Sequence, residues 1–155
     1  MPKNTRHIKT IEEKLHFSFP EYWWDILASQ LKDLFSDDTL NFKIQTNSFL
    51  AKNGHNPPFN AWAVTIGDNV HITKSFGWRA DWRDVFTEDS ANLKTIFSVI
   101  AHEIYHVKDQ KRVGFWKWMI KYSLLRPFYT AKSHPMEKPA YKLAEDIKHK
   151  LTPKL

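Results

Sequence analysis

The chain has no cysteine among its 155 residues. Disulfides are therefore excluded, and so are thiolate ligands, so any metal must be held by histidine and carboxylate. It also lacks any run of 18 apolar residues, which leaves no candidate for a helix that spans a bilayer. Met1 to Thr10 is polar and basic, with no apolar stretch following it. A secretory signal is not expected, and the cytoplasm is the expected location, with export by a machine that reads no N-terminal signal left open. Repeats, low-complexity tracts and an interdomain linker are missing too. A length of 155 residues is common for one domain, so residues 1–155 are read as a single domain.

What is present is apolar and aromatic. Hydrophobic residues make up 42% and aromatic residues 15%, with seven Trp and eleven Phe. That suits a densely filled small interior, or an apolar surface with a use. The net charge of +6 is unevenly placed. Residues 1–107 carry 11 Lys/Arg against 13 Asp/Glu, whereas residues 108–155 carry 12 against 4. A phosphate, a lipid surface or an acidic substrate would match the basic half, and a merely solvated lysine-rich surface explains it equally well.

Periodicity assigns the elements. Pro20 to Phe35 reads as a helix that Ser18 can cap, with Trp23, Ile26, Leu27, Leu31 and Leu34 as its stripe. Thr39 to Thr46 alternates as a half-buried strand, Leu40, Phe42 and Ile44 on one face. Gly54 to Pro58 is a loop. Ala61 to Ile66 and Val70 to Thr73 flank Gly67-Asp68-Asn69 and predict a β-hairpin. Ser75 to Asp89 is an irregular connection. Its Trp78, Arg79, Trp82 and Arg83 could stack on nucleobases, although packing under the sheet is the preferred reading.

From Ala91 to Gln110, apolar residues fall at Leu93, Ile96, Phe97, Ile100, Ile104 and Val107, the spacing of one helix face. Asp89 or Ser90 can cap its start and Gly114 lies just beyond its end. Val113 to Leu125 predicts an aromatic-rich helix, Pro127 to Pro135 a break, and Met136 to Leu151 a last helix. The stripe of that last helix is Met136, Ala140, Leu143, Ala144, Ile147 and Leu151. The order predicts an α+β domain with a small sheet beside the long helix.

That long helix contains His102-Glu103-Ile104-Tyr105-His106, which fits H-E-x-x-H. Side chains four apart on a helix lie about 40° apart around the axis and one turn along it, so both imidazoles can reach one ion. Glu103 projects near the same face, where it can take a proton from a water activated by zinc. A catalytic zinc site usually has a third protein ligand. The position where a third His of H-E-x-x-H-x-x-G-x-x-H would stand is Arg112, which excludes that class. Glu137 is the leading candidate. It begins the last helix about 60° from Ala140, at the rim of the buried stripe, where a carboxylate needs a partner. It could also be an ordinary first-turn Glu favoured by the helix dipole. Glu145 and His134 stand behind it.

A helix carrying HExxH followed by Val107, then a variable connection, then a helix beginning E-x-x-A, resembles the gluzincin pattern of metallopeptidases. The chain most resembles the small bacterial zincin-like domains found near contractile injection systems. It resembles more distantly the membrane-bound and minigluzincin peptidases. The matching residues are Ala101-His102-Glu103, His106-Val107, Gln110, Pro135-Met136-Glu137 and Ala140-Tyr141. The resemblance covers roughly residues 60–147. It implies a small zincin-like fold: a short antiparallel hairpin beside the HExxH helix, and a C-terminal helix that bears the ligand Glu. It implies Zn2+ bound by His102, His106 and Glu137, with Glu103 as base. Where many relatives carry Asp four residues after the ligand Glu, this chain has Tyr141.

The implied chemistry is zinc-dependent peptide-bond hydrolysis on a peptide or protein substrate, Glu103 activating the water and then protonating the leaving amine. Donors for the developing oxyanion are Tyr141, His134, Tyr129 and Tyr105, in that order. Tyr141 could equally be core packing. Support for a ligand His could come from Asp109, Glu145 or Asp146. The hairpin strand before the helix, Val70-His71-Ile72, could accept an extended peptide along a free edge. The aromatic segment Val113 to Leu125 could lie on an anionic membrane, but a helix that closes over the site is the preferred reading. The alternative function is a non-catalytic zincin-fold module that binds a protein, membrane or nucleic acid through its basic, aromatic C-terminal surface. An anionic partner there is compatible with either function, and nucleic acid is not the expected one.

Overall fold

The computed structural model describes residues 8–9, 12–13, 19–31, 43–45, 48–53, 63–72, 91–130 and 132–151. In chain order the elements are helix α1 (Glu21–Gln30), strand β1 (Lys43–Gln45), short helix α2 (Phe49–Asn53), strands β2 (Ala63–Ile66) and β3 (Asn69–Ile72), and helices α3 (Ala91–Val113), α4 (Phe115–Leu125) and α5 (Lys138–Leu151). A 3-10 turn, Arg126–Phe128, follows α4. Five helices and a three-stranded sheet among the described residues make this an α+β fold. Among the described residues, no helix is long and apolar enough to cross a membrane.

α3 is the axis of the core. Phe97, Ile100, Ala101, Ile104 and Val107 are buried on one face of it, at the spacing expected of a helix stripe. α5 presents Leu143, Ile147 and Leu151 to the same core, and α1 presents Trp23, Trp24 and Leu27. Ile44 of β1 and Val70 and Ile72 of β3 complete it from the sheet. The abundant aromatics are explained at one point. The Phe97 ring lies 5.1 Å from Phe19, 5.4 Å from Trp23 and 5.0 Å from Trp24, with edge-to-face tilts that suit ring quadrupoles.

The sheet order is β1-β3-β2. β2 and β3 form the expected hairpin, closed by Gly67-Asp68 alone, because Asn69 already pairs with Ile66. Gly67 turns the chain at φ 62°, a conformation costly for a residue with a Cβ. β1 pairs parallel to β3, Ile44 opposite Val70, so the sheet is mixed rather than purely antiparallel. Alternation along β1 predicts which side chains face in, but carries no information on the direction of its partner. β3 is therefore central and paired on both sides. The strand expected to offer a free edge has none, and among the described residues the edge strands are β1 and β2.

Boundaries differ modestly. α1 ends at Gln30 and α3 runs on to Val113, where Gly114 at φ 99° breaks it from α4. The readings at residues 32–42, 54–62 and 73–90, which include Trp78, Arg79, Trp82 and Arg83, lie outside the described residues.

Replacing Phe97 with Ala removes the ring on which three others rest. Denaturant unfolding should show a loss of about 3–5 kcal/mol. A loss near that of an exposed site, about 0.5 kcal/mol, would show that the aromatic cluster contributes little.

Candidate metal centre

α3 buries His102, Glu103 and His106 within about one helical turn of each other. α5 comes alongside, and the segment just before it supplies Glu137. The Glu137 backbone carbonyl accepts the first hydrogen bond of α5, from Tyr141 N at 2.9 Å. Glu137 is thus the cap residue of α5 and not part of its first turn, since the regular helix starts at Lys138. The cap position aims its side chain back across the helix end toward α3.

Three polar atoms converge there. Glu137 Oε2 lies 2.9 Å from His102 Nε2 and 2.9 Å from His106 Nε2, and the two nitrogens are 3.0 Å apart. They form the one group of three or more His, Asp or Glu among the described residues that could hold a metal ion. Bonds of about 2.0–2.1 Å to a tetrahedral zinc place ligand atoms about 3.3 Å apart, so small side-chain rotations would open this triangle to fit. The donor set, two imidazoles and a carboxylate, leaves a fourth position for water.

The electrostatics favour a cation. Burial alone would raise the Glu137 carboxyl. Hydrogen bonds from His102 and His106, and the charge those rings can carry, outweigh it and hold the carboxyl well below the usual carboxylate range. Burial would likewise lower His106. The hydrogen bond to Glu137 and the charges of Glu103, Glu137 and Asp109 turn its shift upward. The His106 imidazole is stabilised as a cation by the surrounding carboxylates, and a divalent ion would answer the same field. His106 Nδ1 is buried without a hydrogen-bond partner among the described residues.

Several neighbours brace the cluster; Asp109 was an expected support, whereas spacing did not reveal Tyr122, Trp118 or Thr65. Tyr122 of α4 donates its hydroxyl to Glu137 Oε1 at 3.0 Å. Burial first, then the charge of Glu137 and that hydrogen bond, raise the phenol well above its ordinary value, so it stays a donor. Tyr122 is stacked between Trp118, at 4.9 Å, and His134, at 4.2 Å. Trp118 also meets the His106 ring edge-on at 5.5 Å and donates Nε1 to Asp109 Oδ2 at 2.9 Å. Asp109 therefore ties α4 to α3. Its other oxygen accepts from Arg112 at 2.5 Å. Glu103 is fixed from the sheet, where Thr65 of β2 donates Oγ1 to Glu103 Oε2 at 2.5 Å. Gln110 binds the same strand, Nε2 to Thr65 O at 3.1 Å and Oε1 from Gly67 N at 2.7 Å.

The other candidates separate clearly. Tyr141 stands edge-on to the His102 ring with centroids 4.5 Å apart. Burial, Glu137 and Glu103 raise its phenol, which therefore remains protonated. His134 is fully used by the backbone. Its Nδ1 accepts from Met136 N and its Nε2 faces the Tyr122 carbonyl, both at 3.1 Å, which makes it a neutral structural ring. Glu145 and Asp146 are exposed on the far side of α5 and do not join the cluster. Tyr129 is exposed. Tyr105 is half-buried on α3, where Asp109 and Arg112 are the charges acting on it.

Comparison of the chain with family models, with curated proteins and with solved structures returns no match.

Purified without chelator, the protein should carry about one zinc per chain. His102→Ala, His106→Ala and Glu137→Ala should each lose it, and Glu145→Ala should keep it. Tyr122→Phe should weaken affinity about tenfold in a chelator competition, because it frees Glu137 Oε1. Retention of zinc in Glu137→Ala would remove that carboxylate from the ligand set.

Proposed function

We propose that the protein is a zinc-dependent peptidase of gluzincin type, with His102, His106 and Glu137 as ligands and Glu103 as base. The observation that carries this reading is the approach, within 3.0 Å, of three ligand atoms brought from two segments more than 30 residues apart, with Glu103 on the same turn. The resemblance of Ala101–Val107 and Pro135–Tyr141 to the zincin-like pattern supports it.

Zinc, when bound, polarises a substrate carbonyl and acidifies water. The remaining roles fall to the chain. Glu103 gives Oε2 to the Thr65 hydroxyl, which leaves Oε1 to take a proton from the attacking water and deliver it to the departing amine. The Thr65 bond fixes the carboxylate plane, so that the second oxygen is presented in one orientation. Tyr141, still protonated and against His102, would donate to the oxyanion that forms on the carbonyl. An extended substrate can pair with the outer edge of β2. The Gln110 amide already occupies that strand at Thr65 and Gly67, so pairing is directed to the end at Ala63 and Val64.

The alternative, a non-catalytic module of the same fold, separates on Glu103. In a mass-spectrometric screen of a complex peptide mixture, zinc-loaded wild type should generate new termini. Glu103→Gln should bind zinc normally and lose about 10²–10⁴ in rate. Equal, background-level cleavage by both proteins would favour the module. Thr65→Val should keep zinc and KM while lowering kcat of order 10–100-fold, the worth of a hydrogen bond to a charged group at about 1.5–3 kcal/mol. An unchanged kcat would show that Thr65 does not position the base.

A further inference from the structure

α4 has two faces, and the metal centre uses one of them. Trp118 and Tyr122 point inward. On the opposite side Trp116 is 74% exposed, Ile120 58% and Leu124 68%, and Phe128 in the following turn is 79% exposed. These positions recur every four residues. On the helix itself they span about 80° of arc and about 12 Å of axis, a continuous apolar stripe. Lys117 and Lys121 run along its flank, and with Ile120, Leu124 and Leu125 they line one shallow groove. From residue 113 to 136 there are four Lys/Arg and no Asp or Glu.

We propose that this outward face of α4 docks on an anionic lipid bilayer, its apolar stripe entering the interface and Lys117 and Lys121 meeting lipid phosphates. Each alternative occupant fits less well. A second copy of the chain, related by a two-fold axis, would bring Lys117 and Lys121 toward the same lysines with no acid in the segment to answer them. Nucleic acid would use the lysines and Trp116, but has nothing to gain from burying Ile120 and Leu124. Lipid uses both. An interfacial helix buries apolar side chains about 5–10 Å deep, while cations at its edge are drawn to anionic headgroups. At 11 residues α4 is about 17 Å long, too short to cross a hydrocarbon core of about 30 Å, so it lies on the surface. The docking requires no reaction at the metal centre.

The test is co-sedimentation of the zinc-loaded protein with vesicles of phosphatidylcholine alone, or mixed with phosphatidylglycerol. Binding is expected to the anionic vesicles only, and should weaken as salt rises. Lys117→Gln with Lys121→Gln should lower the partition constant by roughly 25-fold, since each lysine near such a surface is worth about fivefold. Ile120→Ser with Leu124→Ser should abolish binding. All four positions are exposed, so zinc content and thermal midpoint should stay as in the wild type. No binding, equal binding to both vesicle types, or unchanged binding by the Ile120/Leu124 variant would each overturn the proposal. So would a monomer–dimer equilibrium, lost in that variant, without vesicle binding.

Discussion

A largely buried carboxylate held between two imidazoles is the tightest polar constraint on how α5 meets α3. Glu137 has its Oε2 within 2.9 Å of both His102 and His106, inside the packing of α5 against α3. Two neutral rings could each donate a proton to that oxygen, but their nitrogens would then face each other as donors 3.0 Å apart. One shared positive centre relieves the conflict, whether a proton or a metal ion. A metal does so without leaving any lone pair unused. Because His102 and His106 lie on α3 and Glu137 caps α5, an ion bound there would bind only the folded chain, and its affinity would become folding free energy. The apolar packing of Ile104, Leu143 and Ile147 and the polar triangle are thus alternative ways of fixing the same interhelical distance.

The parts of this arrangement that could be read from residues alone are those with a local period. His102, Glu103 and His106 follow helix geometry, and the stripes of α3 and α5 follow it too. Glu137 was accessible because its helix start and the gluzincin-like pattern coincide. Its role as a cap was not, since cap and first-turn positions differ by one residue. Tyr122 and Thr65 carried no such signal. Tyr122 meets Glu137 across 15 residues through a break at Pro127, and Thr65 meets Glu103 across 38. Nothing in residue spacing records where a loop delivers a side chain. The parallel pairing of β1 escaped for a similar reason, because alternation tells the faces of a strand and not its neighbour.

α4 shows why a choice between covering the site and facing outward was unnecessary. Its inner residues are tied into the centre by two hydrogen bonds, Trp118 to Asp109 and Tyr122 to Glu137, and by the Tyr122 stack on His134. Those contacts fix the rotation of the helix about its axis. Once Trp118 and Tyr122 point in, residues 116, 120 and 124 must point out, whatever their chemistry. Solubility would favour polar residues there, yet the chain places Trp, Ile and Leu.

The basic surplus of the C-terminal third has more than one origin, and the distinction bears on that face. Lys111 and Arg112 close α3, and Lys148, His149 and Lys150 close α5, where cations meet the negative end of the helix dipole. Arg112 is also paired with Asp109. These charges have a structural reason to be present. Lys117 and Lys121 have none of that kind: they lie in the body of α4, whose last turn carries no basic residue. They are the two cations that border the exposed apolar stripe. Part of the basicity of the C-terminal third is thus helix termination, and the part of it beside the stripe is left to be explained by what that face meets.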